Sequence, residues 1–324
     1  MPENSVLFFQ NEHHPNAKRG ANFSIEFGFP HVRGVAFHNG NAFFASGVNE
    51  GGSVHFTEFP NASLATLKDW VEKTFGDSKP IESEYVPGTV YKRIFRPIAS
   101  IGNFYRAVSQ EKLTESFVSL RILLGKLEEL FETIEPTEAN LLAYGHKIRE
   151  ILLLACMEVE SSWSAVLKEN DYPANGMLTT KDYVKLFTPM LLDSYELSLQ
   201  SYAHFPSFVP FRDWGATSPT KSLAWYDAYN KTKHDREENL KFATLSNAVQ
   251  AVGATVVMFH AQFGFKFGLT GMDQKSPVIH NIFRIVTDFK KHWKECYIPK
   301  LVVMENAAPN PMPSFDWDAR NYPF

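Results

Sequence analysis

Beyond Ser100 the apolar residues fall at helical spacing and hold it for most of the chain. Leu113, Phe117, Leu120, Leu124, Leu127, Phe131 and Ile134 step by four and three in turn, which puts all seven on one stripe of a long helix. Such a stripe needs a partner. After Pro136-Thr137 the pattern resumes with Leu141, Tyr144, Ile148, Leu152, Ala155, Val159, Trp163 and Val166, so two long helices joined by a tight turn are expected as an αα-hairpin. Further helices are predicted at about 180–203 with Thr179 capping, and at about 219–235 with Ser218 as N-cap and Pro219 at the first helical position. Two more are predicted at about 236–263 and 278–297, the last apolar on one side and basic on the other. The Pro-rich tail is expected to be irregular and docked by its aromatics.

The first part of the chain has a different rhythm. "SVLFF", "NFSIEFGF", "GVAFHNGNAFFASG" and "SVHFTEF" read as short strands, with a hairpin signalled by Asn39-Gly40. One amphipathic helix follows, capped by Asn61 or Ser63 and stopped by Gly76, with Leu64, Leu67 and Trp70 or Val71 inward.

Composition narrows the classes without naming one. With 324 residues, 44% hydrophobic and 21% charged, the chain is globular and long enough for two domains. A net charge of -4 gives no global attraction to nucleic acid, so RNA contact would need a local basic patch. Cys156 and Cys296 form no C-x-x-C, which fits a reduced cytoplasmic compartment; the N-terminus does not read as a signal peptide. The apolar run "AVQAVGATVVMFHAQFGF" is interrupted by Gln250, His260 and Gln262, so it reads as a buried helix and not a membrane span. His13, His14, His31, His38 and His55 show no ligand spacing, and no phosphate-loop, dinucleotide or nucleophile-elbow motif occurs; no cofactor or metal is expected.

The densest chemistry lies in "YNKTKHDR". On a helix Tyr226, Asn230 and His234 align, and Trp225, Tyr229, Lys233 and Arg236 form the adjacent stripe. An imidazole titrating near neutrality can take a 2′-hydroxyl proton while a cation offsets charge on the phosphorus oxygens, which is what metal-free RNA cleavage needs. The bland alternative is a solvated helix end. Glu158 and Glu160 interrupt an apolar helix on either side of Val159, and Arg149 lies three turns from Glu160 on the same face. They can line a polar groove toward His234, or form structural pairs with Arg236 or Lys233. The basic stripe Arg284, Lys290, Lys291, His292 and Lys294 reads as the wet side of a helix.

"WYDAYNKTKHDREENLKFATLSNAVQAV", with the upstream "KIREILLLACMEVESSW", resembles the HEPN-like superfamily over about residues 137–263. The resemblance implies an up-and-down bundle of four or five helices, frequently dimeric, in a family that includes metal-independent endoribonucleases of toxin–antitoxin and phage-defence systems. Its motif is an Arg, four to six intervening residues and then a His, with a polar residue, commonly Asn, right after the Arg. Asn230 and His234 match, but Tyr229 stands where the Arg belongs; the literal Arg33-x4-His38 falls in the strand-rich part. Under the resemblance Glu160 or Glu158 would orient the histidine or the cation.

The expected whole is α+β. A β-rich domain at 1–96 precedes a HEPN-like helical bundle at 97–300 and an irregular tail at 301–324. The expected function is binding of RNA or a nucleotide-bearing partner, in a defence or toxin-type role, with the catalytic motif degenerate; the alternative is an active endoribonuclease. In the catalytic version His234 is the general acid/base, Arg236 and Lys233 stabilise the phosphorane, Asn230 orients substrate, and Tyr226, Tyr229 and Arg149 contribute to binding. A homodimer through the helices and a protein partner for residues 1–96 complete the expectation, with no membrane association.

Overall fold

The stripe that opens the helical part is a helix over Gln110–Phe131, begun by Ser109, whose side chain accepts from the Lys112 N–H. This is seen in a computed structural model that describes residues 6–9, 34–39, 42–48, 54–60, 63–75, 81–83, 88–96, 109–264, 275–287, 297, 300–302, 314–316 and 318–324. Among these residues the chain is mainly helical with several small sheets. It divides into two units, one of residues 1–90, 96–107 and 289–320, the other of residues 91–95, 108–288 and 321–324. The units thus interleave along the sequence.

In the first unit β1 (Val6–Phe9), β2 (Gly34–Asn39), β3 (Ala42–Val48), β4 (Val54–Pro60) and β5 (Ile81–Ser83) form an antiparallel sheet in the order β4-β3-β2-β1-β5. Asn39 pairs with Ala42, so the β2–β3 hairpin closes where the Asn-Gly signal put it. Helix α1 (Leu64–Phe75) follows, and of the two proposed caps Ser63 is the one seen, accepting from the Thr66 N–H at 3.1 Å. The strand expected at 22–29, Arg33 and the side chains of Leu64, Leu67 and Val71 lie outside what is described. The tail is less irregular than its prolines suggest, because Lys300–Val302 pairs antiparallel with Ser314–Asp316.

In the second unit α2 is Gln110–Phe131 and α3 is His146–Glu169. Leu113, Leu120, Leu124 and Leu127 are fully or almost fully buried, as are Ile148, Leu152, Ala155, Val159, Trp163 and Val166. The tight turn between them is not found. Residues 141–144 are drawn off to pair with the start of a later helix, where the Leu245 N–H donates to the Ala143 carbonyl and the Ser246 N–H to that of Leu141. Tyr144 is therefore exposed and not inward.

The helix predicted at 180–203 is the largest misreading. Thr179 and Asp182 do form a capping box, but α4 (Thr180–Tyr183) lasts one turn. Pro189 cannot continue it, and Leu191 is left-handed at φ 49°. Residues Tyr195–Leu199 become β6, antiparallel to β7 (Phe283–Thr287), with Tyr195, Leu197 and Leu199 buried in alternation. Helix α5 begins at Ala224 and not at Pro219, since the Pro219 carbonyl accepts the Trp214 indole N–H instead. The helix expected over 236–263 splits into α6 (Arg236–Asn239), a 3₁₀ turn, and α7 (Leu245–Phe263) capped by Thr244. The last predicted helix shortens to α8 (Lys275–His280) before β7, which carries Arg284; Lys290, Lys291, His292 and Lys294 lie outside the described residues.

Helix α7 is the axle of this unit. Every residue from Ala251 to Gly264 is buried, and α2, α3 and α5 all pack on it. No helix among the described residues is long and apolar enough to cross a membrane. The chain end docks through its rings, with Tyr322 edge-on to Tyr91 and Phe324 edge-on to Tyr172.

Candidate functional site

Helix α5 (Ala224–His234) buries Trp225, Tyr226, Ala228, Tyr229 and Thr232, a stripe of inward positions spaced by three and four. The two tyrosines therefore point at α3 and not at solvent. There the Tyr226 hydroxyl donates to Glu160 Oε1 at 2.5 Å, and the Tyr229 hydroxyl approaches Oε2 at 3.4 Å. Lys233 Nζ donates to the Tyr229 hydroxyl at 2.9 Å and sits 5.0 Å from the centre of that ring. The result is a relay of polar groups, ammonium to phenol to carboxylate, on one side of α3.

This arrangement has electrostatic consequences. Burial, with the Glu160 hydrogen bond second, pushes the Tyr226 hydroxyl far above the usual tyrosine range. Tyr229 moves up through burial, with Lys233 opposing, and the Lys233 ammonium is held by the hydroxyl it donates to. Cys156, one turn before Glu160, is fully buried and its thiol is pushed well up, first by burial and then by Glu160; it is no nucleophile.

Arg149 meets the other end of α5. Its Nε and one terminal nitrogen donate to the Thr232 carbonyl at 3.1 and 2.9 Å, satisfying a carbonyl near the helix C-terminus with a cation. Since Arg149 reaches Thr232 and Glu160 reaches Tyr226, α3 and α5 run antiparallel, pinned at two points. Behind them Trp163 stacks on Trp214 at 4.7 Å and meets Tyr226 edge-on at 5.4 Å.

The remaining candidates lie elsewhere. Asn230 donates to the Tyr226 carbonyl one turn back at 2.9 Å. His234 is exposed and ends α5. Asp235 is extended and caps α6 through the Glu238 N–H, so Arg236 opens a new helix and does not continue the stripe of Tyr229 and Lys233. Glu158 is on the opposite side of α3, where Ser119 of α2 hydrogen-bonds it and burial moves its carboxyl up. The structure thus gathers Glu160, Tyr226, Tyr229 and Lys233, joins Arg149 to Thr232, leaves His234 and Arg236 in solvent, and separates Glu158 from the rest.

Sequence reasoning did not single out Thr232 or the tryptophan layer. A signal was present: two tyrosines three apart on a buried stripe need acceptors for their hydroxyls, and Glu160 is the carboxylate of an apolar helix that needs donors. Among the described residues no group of three or more His, Cys, Asp or Glu is placed to hold a metal ion. No protein-family model, no curated protein and no solved structure matches this chain, so its function has to be read from these residues.

Proposed function

We propose that the helical unit is a HEPN-like bundle that binds RNA or a nucleotide-bearing partner without cleaving it, its motif segment being kept for architecture. The observation that carries this reading is the occupation of Glu160 by Tyr226 and Tyr229. In the catalytic version a carboxylate orients His234 and an Arg stands at position 229. Here the carboxylate holds two phenols and the residue at 229 is a neutral hydroxyl, which cannot offset phosphorane charge. Lys233, His234 and Arg236 are all exposed at the α5–α6 break, and they form the surface offered to phosphates. A homodimer through the helices goes with this reading, supported by exposed Val118 and Ile122 one turn apart on α2. So does a defence or toxin-type role, with residues 1–96 left to engage a protein partner.

The alternative, an active endoribonuclease using His234 and Arg236, is favoured by their shared exposure two positions apart. Labelled single-stranded RNA in EDTA separates the two. Binding without cleavage, weakened roughly tenfold or more by Lys233→Glu with Arg236→Glu, is the expected result. Cleavage lost in His234→Ala overturns the non-catalytic reading, and absence of binding at low salt overturns the RNA reading altogether.

A further inference from the structure

A cavity of about 380 Å³ lies between α2, α3 and the end of α7, on the side of α3 away from the tyrosines, and all its lining residues belong to the helical unit. Its lining is largely polar. Exposed Glu115 and Ser161 stand at the rim, half-buried Ser119 and Glu158 form the walls, and buried Phe259 and Gln262 form the floor.

Two polar groups in it are unmatched. Gln262 is 2% exposed, and its Nε2 donates to the Met258 carbonyl at 2.9 Å, which leaves Oε1 with no hydrogen-bond partner among the described residues. The Arg93 side chain is 10% exposed, and its Nε is likewise without one. Both atoms are closed off from solvent, and a buried acceptor and a buried donor without partners beside one cavity are costly unless a small side-chain turn brings them to something that fills it. Charge limits what that is. Arg93 and Lys112 share the one carboxylate of Glu169, at 3.7 and 2.8 Å, which leaves one positive charge over, and the carboxyls of Glu115 and Glu158 lining the cavity offset it. Phosphates and carboxylates find no surplus cation here.

We infer that this cavity binds a neutral polyhydroxylated ring, either a monosaccharide or the ribose of a nucleoside. A hydroxyl both donates and accepts, so one ring can give a proton to Glu158 and accept from Ser119, and its entry lets Gln262 Oε1 and Arg93 Nε turn toward its remaining hydroxyls. The apolar face of such a ring has half-buried Ala165 on the cavity wall to lie against. The volume is at the small end of ligand sites, which run about 300–1,000 Å³.

The test is a binding panel on the full chain by calorimetry and thermal shift, with D-ribose, D-glucose, uridine and adenosine as probes and ribose 5-phosphate and gluconate as charged controls. A neutral probe should bind and raise the melting temperature, sugars alone marking a saccharide site and nucleosides alone a nucleoside site. Gln262→Leu should weaken binding about tenfold. Ser161→Trp, at the exposed rim where folding is not at stake, should block it. The inference is overturned if no neutral probe binds at millimolar concentration, meaning that the cavity holds water only, if the charged controls bind as well, or if Ser161→Trp leaves binding unchanged.

Discussion

Glu160→Ala tests whether the polar cluster on α3 holds the fold together. The change removes the acceptor of the Tyr226 hydroxyl, a group on a side chain only 4% exposed. A hydrogen bond to a charged acceptor contributes about 1.5–3 kcal/mol, and an orphaned buried donor adds its own desolvation. The 3.4 Å approach of Tyr229 adds little, and the half-buried position of Glu160 lets water replace part of the loss. The expected cost is about 2 kcal/mol, which for a unit of this size lowers the melting temperature by roughly 4–8 °C. Urea unfolding followed by tryptophan fluorescence is a suitable assay, because Trp163 lies against Tyr226. Tyr226→Phe completes a cycle: the double variant should be scarcely less stable than Glu160→Ala alone, giving a coupling of about 1–2 kcal/mol. A Glu160→Ala protein within about 0.5 kcal/mol of the parent, or two effects that simply add, would refute the structural assignment.

Three further outcomes are expected. Because the Tyr226 hydroxyl titrates higher folded than unfolded, its contribution is complete below the ordinary tyrosine value of about 10 and declines as pH rises beyond it; Tyr226→Phe should flatten that alkaline loss in pH-dependent melts. His260 shifts the other way. Burial holds its ring down at about 4, with its Nδ1 2.9 Å from the Val256 carbonyl, so the unfolded chain takes up the proton first and stability falls between about pH 6.5 and 4, by on the order of 3 kcal/mol. His260→Phe should remove most of that acid slope, and a slope unchanged in the variant counts against the buried neutral ring. Gly264 ends α7 at φ +82°, and a Cβ there would run into the Phe95 ring. Gly264→Ala should therefore cost about 2–3 kcal/mol in chemical denaturation, from backbone strain and overpacking together.

What was legible in the sequence is what a single repeat length controls. The stripes of α2 and α3 were readable because each is long, and the burial of α7 because it is apolar on all sides. The failures lie where a local preference met a stronger non-local one. Residues 141–144 have helical spacing but give their carbonyls to the start of α7, and Tyr195–Leu199 gives up helix for a pairing with residues nearly ninety positions away. In the second case the alternation of Tyr195, Leu197 and Leu199 was a strand signal, masked by the helical residues before it. Glu160 and Arg149 were placed toward α5 from the sequence, but their contacts with Tyr226, Tyr229 and the Thr232 carbonyl were not, since spacing along a helix shows which side chains share a face and not which face is turned inward.

That distinction bears on the two carboxylates of α3. Glu158 and Glu160 are two apart, so on a helix they must point to different sides, and no geometry could bring both to one histidine. One side of α3 meets the phenols of α5, where a carboxylate accepts two hydroxyls and ties helices together. The other side meets the serines of α2, whose small side chains do not fill the space between helices, and there the carboxylate borders a cavity. The same residue type thus has opposite consequences because of what the facing helix supplies: large donors close one seam, and small hydroxyls leave the other open. If α3 has a binding role of its own it belongs to the open seam, and substituting Glu158 should alter ligand binding with little effect on melting, while substituting Glu160 should do the reverse.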